Sequence, residues 1–182
     1  MSSPDPFPVA ARGLAVFPLP PGSKHAALGW HRACTSDPAV LARSWVPGAN
    51  VGVACRASNV AGLDLDRHDG KADGIATFEV LCADLGQPWP VTLTVATPHG
   101  GLHLYFRVPA GRIVPSVAGR WPGVDVRGPG RRLGGYLAGP GSVVDGAPYV
   151  IERDTAIAGL PPWLAGLLEA RAQPGAWATS SR

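Results

Sequence analysis

Lysine and methionine are nearly missing from this chain. Only Lys24 and Lys71 are lysines among 16 basic residues, and the 182 residues include one Met. Charge of either sign is scarce at 16%, so any cluster of charged groups is informative. Cysteine is scarce too. Cys34, Cys55 and Cys82 stand far apart with no C-x2-C pair, which excludes a Cys-rich zinc knuckle and a disulfide framework; no zinc is expected. No apolar run approaches the roughly 20 residues of a membrane-spanning helix. The polar, Pro-rich opening Met1–Pro8 does not read as a secretory leader. A cytoplasmic protein with no membrane partner is therefore expected.

The residues that are abundant point to a folded domain with short elements. Hydrophobic residues reach 46%, too many for a disordered chain. The 24 Gly and 20 Pro argue for many turns. The bases are nearly all Arg, the residue suited to bidentate phosphate contacts. Six of them (Arg107, Arg112, Arg120, Arg127, Arg131 and Arg132) fall in a stretch whose one acid is Asp125. The stretch reads either as a solvated face or as a phosphate-binding wall around a lone carboxylate.

Residues 1–11 read as a flexible arm, 12–171 as one domain and 172–182 as a disordered tail. Strands are expected at Leu14–Leu19, Val51–Cys55, Val60–Asp66, Val91–Thr97, Leu102–Val108, Val124–Arg127, Leu133–Leu137 and Pro148–Ile151. Ser36 or Asp37 caps a helix with Pro38 at its first position, and Asp73 opens another that stops at Gly86. Pro161–Arg171 reads as a short amphipathic helix with Trp163, Leu164, Leu167 and Leu168 inward. Trp45 and Trp163 are assigned to the core, and Trp121 is left open. Hairpins with a few packing helices suggest an α+β fold on a mainly antiparallel sheet.

Three of these strands carry reactive groups on one face. In Leu63-Asp64-Leu65-Asp66 the leucines point one way and the acids the other, with the two Asp Cα atoms roughly 6.5 Å apart. Side-by-side carboxylates repel unless a cation neutralises them, and Mg2+ favours one or two carboxylates plus phosphate oxygens. After the turn Pro98-His99-Gly100-Gly101, His103, Tyr105 and Arg107 share a face opposite Leu102, Leu104 and Phe106. In Val124-Asp125-Val126-Arg127 the polar pair again faces away from the apolar one. Singly, these are a strand end emerging into solvent, an exposed His and a local ion pair. As neighbours in one sheet they build a single site of three carboxylates, a His and an Arg.

At these residues the sequence resembles the bifunctional DNA primase/polymerase N-terminal family of the archaeo-eukaryotic primase superfamily. The likeness runs from about Arg12 to Leu168. It includes Gly13-Leu14-Ala15-Val16-Phe17-Pro18-Leu19, Pro21-Gly22-Ser23-Lys24, Gly29-Trp30, Asn50-Val51-Gly52-Val53 and Leu63-Asp64-Leu65-Asp66. It continues through Thr97-Pro98-His99-Gly100-Gly101-Leu102-His103-Leu104-Tyr105-Phe106, Val124-Asp125-Val126-Arg127-Gly128, Gly135-Tyr136-Leu137-Ala138, Tyr149 and Leu160-Pro161-Pro162-Trp163-Leu164. The resemblance implies an RRM-like catalytic sheet packed with an N-terminal α/β unit. It maps the family's paired acids onto Asp64 and Asp66, its histidine onto His103 as a triphosphate contact, and its third acid onto Asp125.

The activity so implied is metal-dependent nucleotidyl transfer. Asp64, Asp66 and Asp125 would hold Mg2+ or Mn2+, with His103 and nearby Arg neutralising phosphate charge. Lys24, Arg127 and Arg131 are added as phosphate contacts from charge and position. Expected partners are single-stranded or primed DNA, nucleoside triphosphates and a separate helicase, since many relatives carry a helicase domain after this one. Two other readings stay open. One is a nucleotide- or nucleic-acid-binding module without turnover; the other is a metal-dependent phosphodiesterase.

Overall fold

The computed structural model of the protein describes residues 4–67 and 72–169. The expected tail 172–182, the last two residues of the helix expected at Pro161–Arg171 and the first three residues of the expected arm lie outside them. The rest of that arm is not loose. Phe7–Ala10 form a helical turn, α1, which puts Val9 and Ala10 into the core. Burial of those two side chains outweighs the local Pro-rich composition.

The elements then agree closely with the sequence where period or cap is explicit. Strand β1 (Val16–Leu19) precedes a 3-10 turn at Trp30–Ala33 and helix α2 (Pro38–Ser44). Asp37 caps α2, its carboxylate accepting from the Ala39 N–H at 2.8 Å. Strand β2 (Asn50–Ala54) runs into an unexpected short helix, α3 (Cys55–Ser58), which Asn59 ends at φ 50°. Strand β3 (Val60–Leu65) carries the paired acids' segment. Helix α4 (Gly74–Asp84) is capped by Asp73, which accepts from the N–H groups of Ile75 and Ala76.

Strands β4 (Thr94–Ala96) and β5 (Leu102–Arg107) form the expected hairpin. The strand expected from Val91 starts only at Thr94. Thr92 turns its hydroxyl to the Tyr105 carbonyl and accepts from the Ala158 N–H, replacing ladder bonds with side-chain ones. Strands β6 (Val117–Trp121) and β7 (Val124–Arg127) make a second hairpin, of which the sequence pattern marks β7 alone. Strand β8 (Tyr136–Ala138) begins later than Leu133, because Gly134 at φ +73° turns the chain tightly against the Pro129 carbonyl. Short strands β9 (Val143–Val144), β10 (Ala147–Pro148) and β11 (Val150–Arg153) lead to helix α5 (Pro162–Leu168).

The result is a mixed α+β fold on mainly antiparallel sheets. A three-stranded sheet has the order β1-β2-β8, and a six-stranded sheet the order β11-β4-β5-β3-β7-β6. Alternation along the large sheet divides the interior in two. Leu63, Leu65, Leu104, Phe106, Val124 and Val126 pack with Phe78 of α4 and Leu164 of α5. On the other face Val60, Val95 and Tyr105 pack against residues of the small sheet such as Val53 and Leu137. Gly62 permits this closeness, since a Cβ there would lie 2.2 Å from Leu137 Cδ1. Trp45 and Trp163, expected in the core, are half-buried against the first and second core respectively. Trp121 is half-buried against the second core with the Arg120 guanidinium over its ring.

The arginine-rich stretch is not one wall. Arg112 pairs with Glu169, and Arg120 donates to the Leu167 carbonyl. Arg107 donates to the carbonyls of Arg12, Gly13 and Ser58, tying β5 to the N-terminal segment. Replacing Arg107 by Ala is expected to cost about 2 kcal/mol in urea unfolding, because these bonds come from a charged donor. Lys should recover only part of that deficit, since a single ammonium cannot span the three carbonyls.

Candidate active site

Strand register builds the site. Strand β3 lies between β5 and β7, and the antiparallel pairing puts Asp64 directly opposite His103 on one side and opposite Asp125 on the other. Side chains facing each other across a ladder share a face, so the three form one row. The next row along is Tyr105, Gly62 and Arg127.

Asp66 stands just beyond β3, and its backbone is fixed from both sides. Its N–H donates to the Gly123 carbonyl and its carbonyl accepts from the Gly74 N–H, each at 2.8 Å. The turn joining β6 to β7 and the start of α4 thereby aim Asp66 beside Asp64. One carboxylate oxygen from each of Asp64, Asp66 and Asp125 lies within 4.8 Å of the other two.

Each acid is held in a polar setting. Asp125 accepts from the Gly119 N–H at 2.6 Å and from Arg127 Nη2 at 2.7 Å. The ion pair read from the sequence therefore exists within the site rather than instead of it. Asp64 lies 3.2 Å from His103 Nε2. The His103 side chain is only 4% exposed, so Asp64 is the groove-facing member of the pair. Burial is the largest single influence on Asp64 and raises its pKa. His103, by charge and hydrogen bond, and then Arg127 and Lys24 together outweigh it and hold the carboxyl below its ordinary 3.8.

The pH dependence has a definite sign. The folded value is the lower one, so the contribution to stability is complete above the ordinary aspartate range. It drains away only as pH falls through the lowered value. Carboxyl-carbon NMR titration should therefore find Asp64 titrating below a normal aspartate. In His103→Gln it should titrate higher, with burial then the dominant influence.

The row opens into a cleft of about 460 Å³ between the two sheets. Asp64, Asp66 and His103 line it, as do Lys24 from the loop 20–29 and Arg127. Asp125 joins the acids from the neighbouring strand. Arg131, expected as a phosphate contact, stands exposed on the loop before β8 and does not line the cleft. Tyr105 shares the face of His103, as read from the alternation, but is fully buried beneath it.

Two features of the cleft lie among the residues of the family likeness, which gives them no role. Tyr149 comes from between β10 and β11, its ring centroid 5.4 Å from that of His103. Burial first, and then Asp64, Asp66 and Asp145, push its hydroxyl up to about 12, so it stays a neutral donor at ordinary pH. Trp30 and Tyr136 form an aromatic wall, their centroids 5.1 Å apart. They are half-buried and reach the cleft only because the small sheet folds over the large one.

The donor set fits a hard divalent cation. It is all oxygen, anionic, half-buried and close enough for one ion to bridge, which suits Mg2+ or Mn2+ better than a thiophilic metal. Three acids so placed repel one another unless a cation offsets them. Among the described residues no helix is long and apolar enough to cross a membrane.

No curated protein matches the chain. A family model does, over residues 8–163: that of the bifunctional DNA primase/polymerase N-terminal domain. With Asp64, the strand histidine and the third acid in a single row and Asp66 close beside it, the chain belongs to the Prim-Pol family.

Proposed function

We propose that the protein is a metal-dependent nucleotidyltransferase that extends or initiates a strand from nucleoside triphosphates on a DNA template, with residues 12–171 as its catalytic domain. The observation that carries this is the shared row of His103, Asp64 and Asp125, with Asp66 near enough for all three acids to share a cation. Membership of the primase/polymerase family supports the same reading. So does the strand order β4-β5-β3-β7 with α4 after β3. An RRM-like catalytic sheet is part of this proposal, and that strand order supports it.

Asp64, Asp66 and Asp125 would hold the cations. Bound Mg2+ or Mn2+ supplies a polarised strand-end hydroxyl and charge neutralisation on the leaving pyrophosphate. The chain's own groups do the rest. Lys24 and Arg127 line the cleft with the acids, Arg127 from beside Asp125, and attract the triphosphate. Buried His103 keeps Asp64 ionised and fixed in direction. Tyr149 offers a neutral hydroxyl beside His103, able to donate to a phosphate or sugar oxygen without adding charge.

A pure binding module gains nothing from three clustered acids that repel the phosphates it must hold. The direct test is a primed template incubated with dNTPs and Mg2+ or Mn2+. Extension that chelation abolishes is expected. Absence of extension with every nucleotide and metal combination overturns the proposal. Degradation of the DNA without dNTPs would instead mark a phosphodiesterase.

A further inference from the structure

Two bases that do not enter the cleft, Arg131 and Arg132, stand exposed beside Leu133 at its rim. Acids are absent from residues 6–36 and from residues 126–144, among other stretches. The fold brings a loop from each together: the Ala26 N–H donates to the Tyr136 hydroxyl at 3.0 Å. Both loops are anchored from below. Asn50 donates to the Ser23 carbonyl and Arg56 to the Gly130 carbonyl, each at 3.0 Å. Trp30 packs on Phe17 and Tyr136 under the first loop.

These anchored loops hold exposed cations and exposed apolar groups side by side. Arg131 and Arg132 are exposed, and Leu133 beside them is 52% exposed where it borders the cleft. Leu28 on the first loop is fully exposed. Solvated leucine on a well-anchored loop has no structural benefit, and paired with cations it matches an unpaired strand, whose bases offer apolar faces and whose backbone offers phosphates.

We infer that the rim formed by residues 23–29 and 130–135 is the docking surface for the unpaired template strand, with Arg131 and Arg132 on its phosphates and Leu28 and Leu133 against its bases. This rests on the proposed polymerase reading and locates that reading's nucleic-acid partner. It also moves Arg131 from the triphosphate to the template. Duplex DNA, whose base faces are stacked away, fits the leucines poorly.

The test is fluorescence anisotropy of a labelled single-stranded DNA oligonucleotide across a salt series, with no nucleotide or divalent ion. The doubly substituted Arg131→Gln, Arg132→Gln protein should lower the slope of log affinity against log salt by about 1.4, at roughly 0.7 for each phosphate no longer neutralised. Leu28→Ser should bind more weakly with the slope unchanged. Arg112→Gln, whose guanidinium is committed to Glu169, should match the parent. A double variant with the parental slope, or an Arg112→Gln slope change as large per charge, overturns the surface. The two proposals separate cleanly. A parent that extends primers while the double variant keeps its slope refutes the rim alone, and a parent that binds the strand through this rim yet never extends refutes the polymerase activity alone.

Discussion

Asp64→Asn is expected to abolish primer extension, by about a thousandfold or more, while leaving the fold intact. The magnitude comes from removing one charged ligand of a site that works by electrostatic stabilisation of phosphoryl charge, where loss of even one neutral donor costs about 10²–10³-fold. Asp64 is the acid to choose because it is the centre of the row, flanked by His103 and Asp125. Asn keeps the shape and can still accept from His103 Nε2, so no buried donor is orphaned. It also removes one of three mutually repelling charges from the metal-free protein. The thermal midpoint without metal should then move by no more than about 4 °C, which corresponds to roughly 1–2 kcal/mol for a domain of this size. Extension within tenfold of the parent would show that the acids are not catalytic. A large drop in midpoint would show that Asp64 is chiefly structural.

The second large effect is expected at a residue that touches no substrate. Gly74 opens α4, and a Cβ there would lie 2.0 Å from the Gly123 carbonyl oxygen and 2.9 Å from the Asp66 nitrogen. Both are backbone atoms, and both belong to the pair of hydrogen bonds that fixes Asp66. Neither can rotate aside as a side chain could. Gly74→Ala should therefore force the turn between β6 and β7 away from β3, costing about 1–3 kcal/mol through overpacking. It should also weaken Mn2+ affinity and extension, although all three acids remain. Gly166 in α5 is the matched control, with nothing within 4 Å of its Cβ position. Gly166→Ala should be neutral or stabilising by up to about 1 kcal/mol. A Gly74→Ala protein that melts and binds Mn2+ like the parent would mean that Asp66 does not depend on this knot.

The same knot shows what can and cannot be read from the chain. The alternations in Leu63–Asp66, Leu102–Arg107 and Val124–Arg127 declare which residues share a face, because side chains in a strand alternate with period two. The Asp73 cap is equally explicit, and the earlier one is narrowed to Ser36 or Asp37, of which Asp37 serves. Register is not. That Asp64 meets both His103 and Asp125 depends on how β3, β5 and β7 slide against one another, and no local signal encodes that. The resemblance to a family supplies the grouping; the pairing supplies its physical cause.

Charge is the least legible feature. Arg107, Arg112 and Arg127 look alike in sequence, yet one clamps three carbonyls, one pairs with a distant Glu and one faces the acids. Which partner an Arg meets is decided by tertiary packing. The place of Tyr149 is hidden for the same reason, since it arrives beside His103 from far along the chain. The helical turn at Phe7–Ala10 escapes the sequence pattern because two buried side chains outweigh a Pro-rich composition that reads as loose.

Crystals soaked with Mn2+ and a non-hydrolysable deoxynucleoside triphosphate, measured at the manganese absorption edge, would decide the matter. Anomalous density is expected among the carboxylates of Asp64, Asp66 and Asp125, with the triphosphate reaching toward Lys24 and Arg127. Manganese bound elsewhere while that groove holds none, or a triphosphate seated away from it, would contradict the assignment of this row of acids as a nucleotidyl-transfer centre.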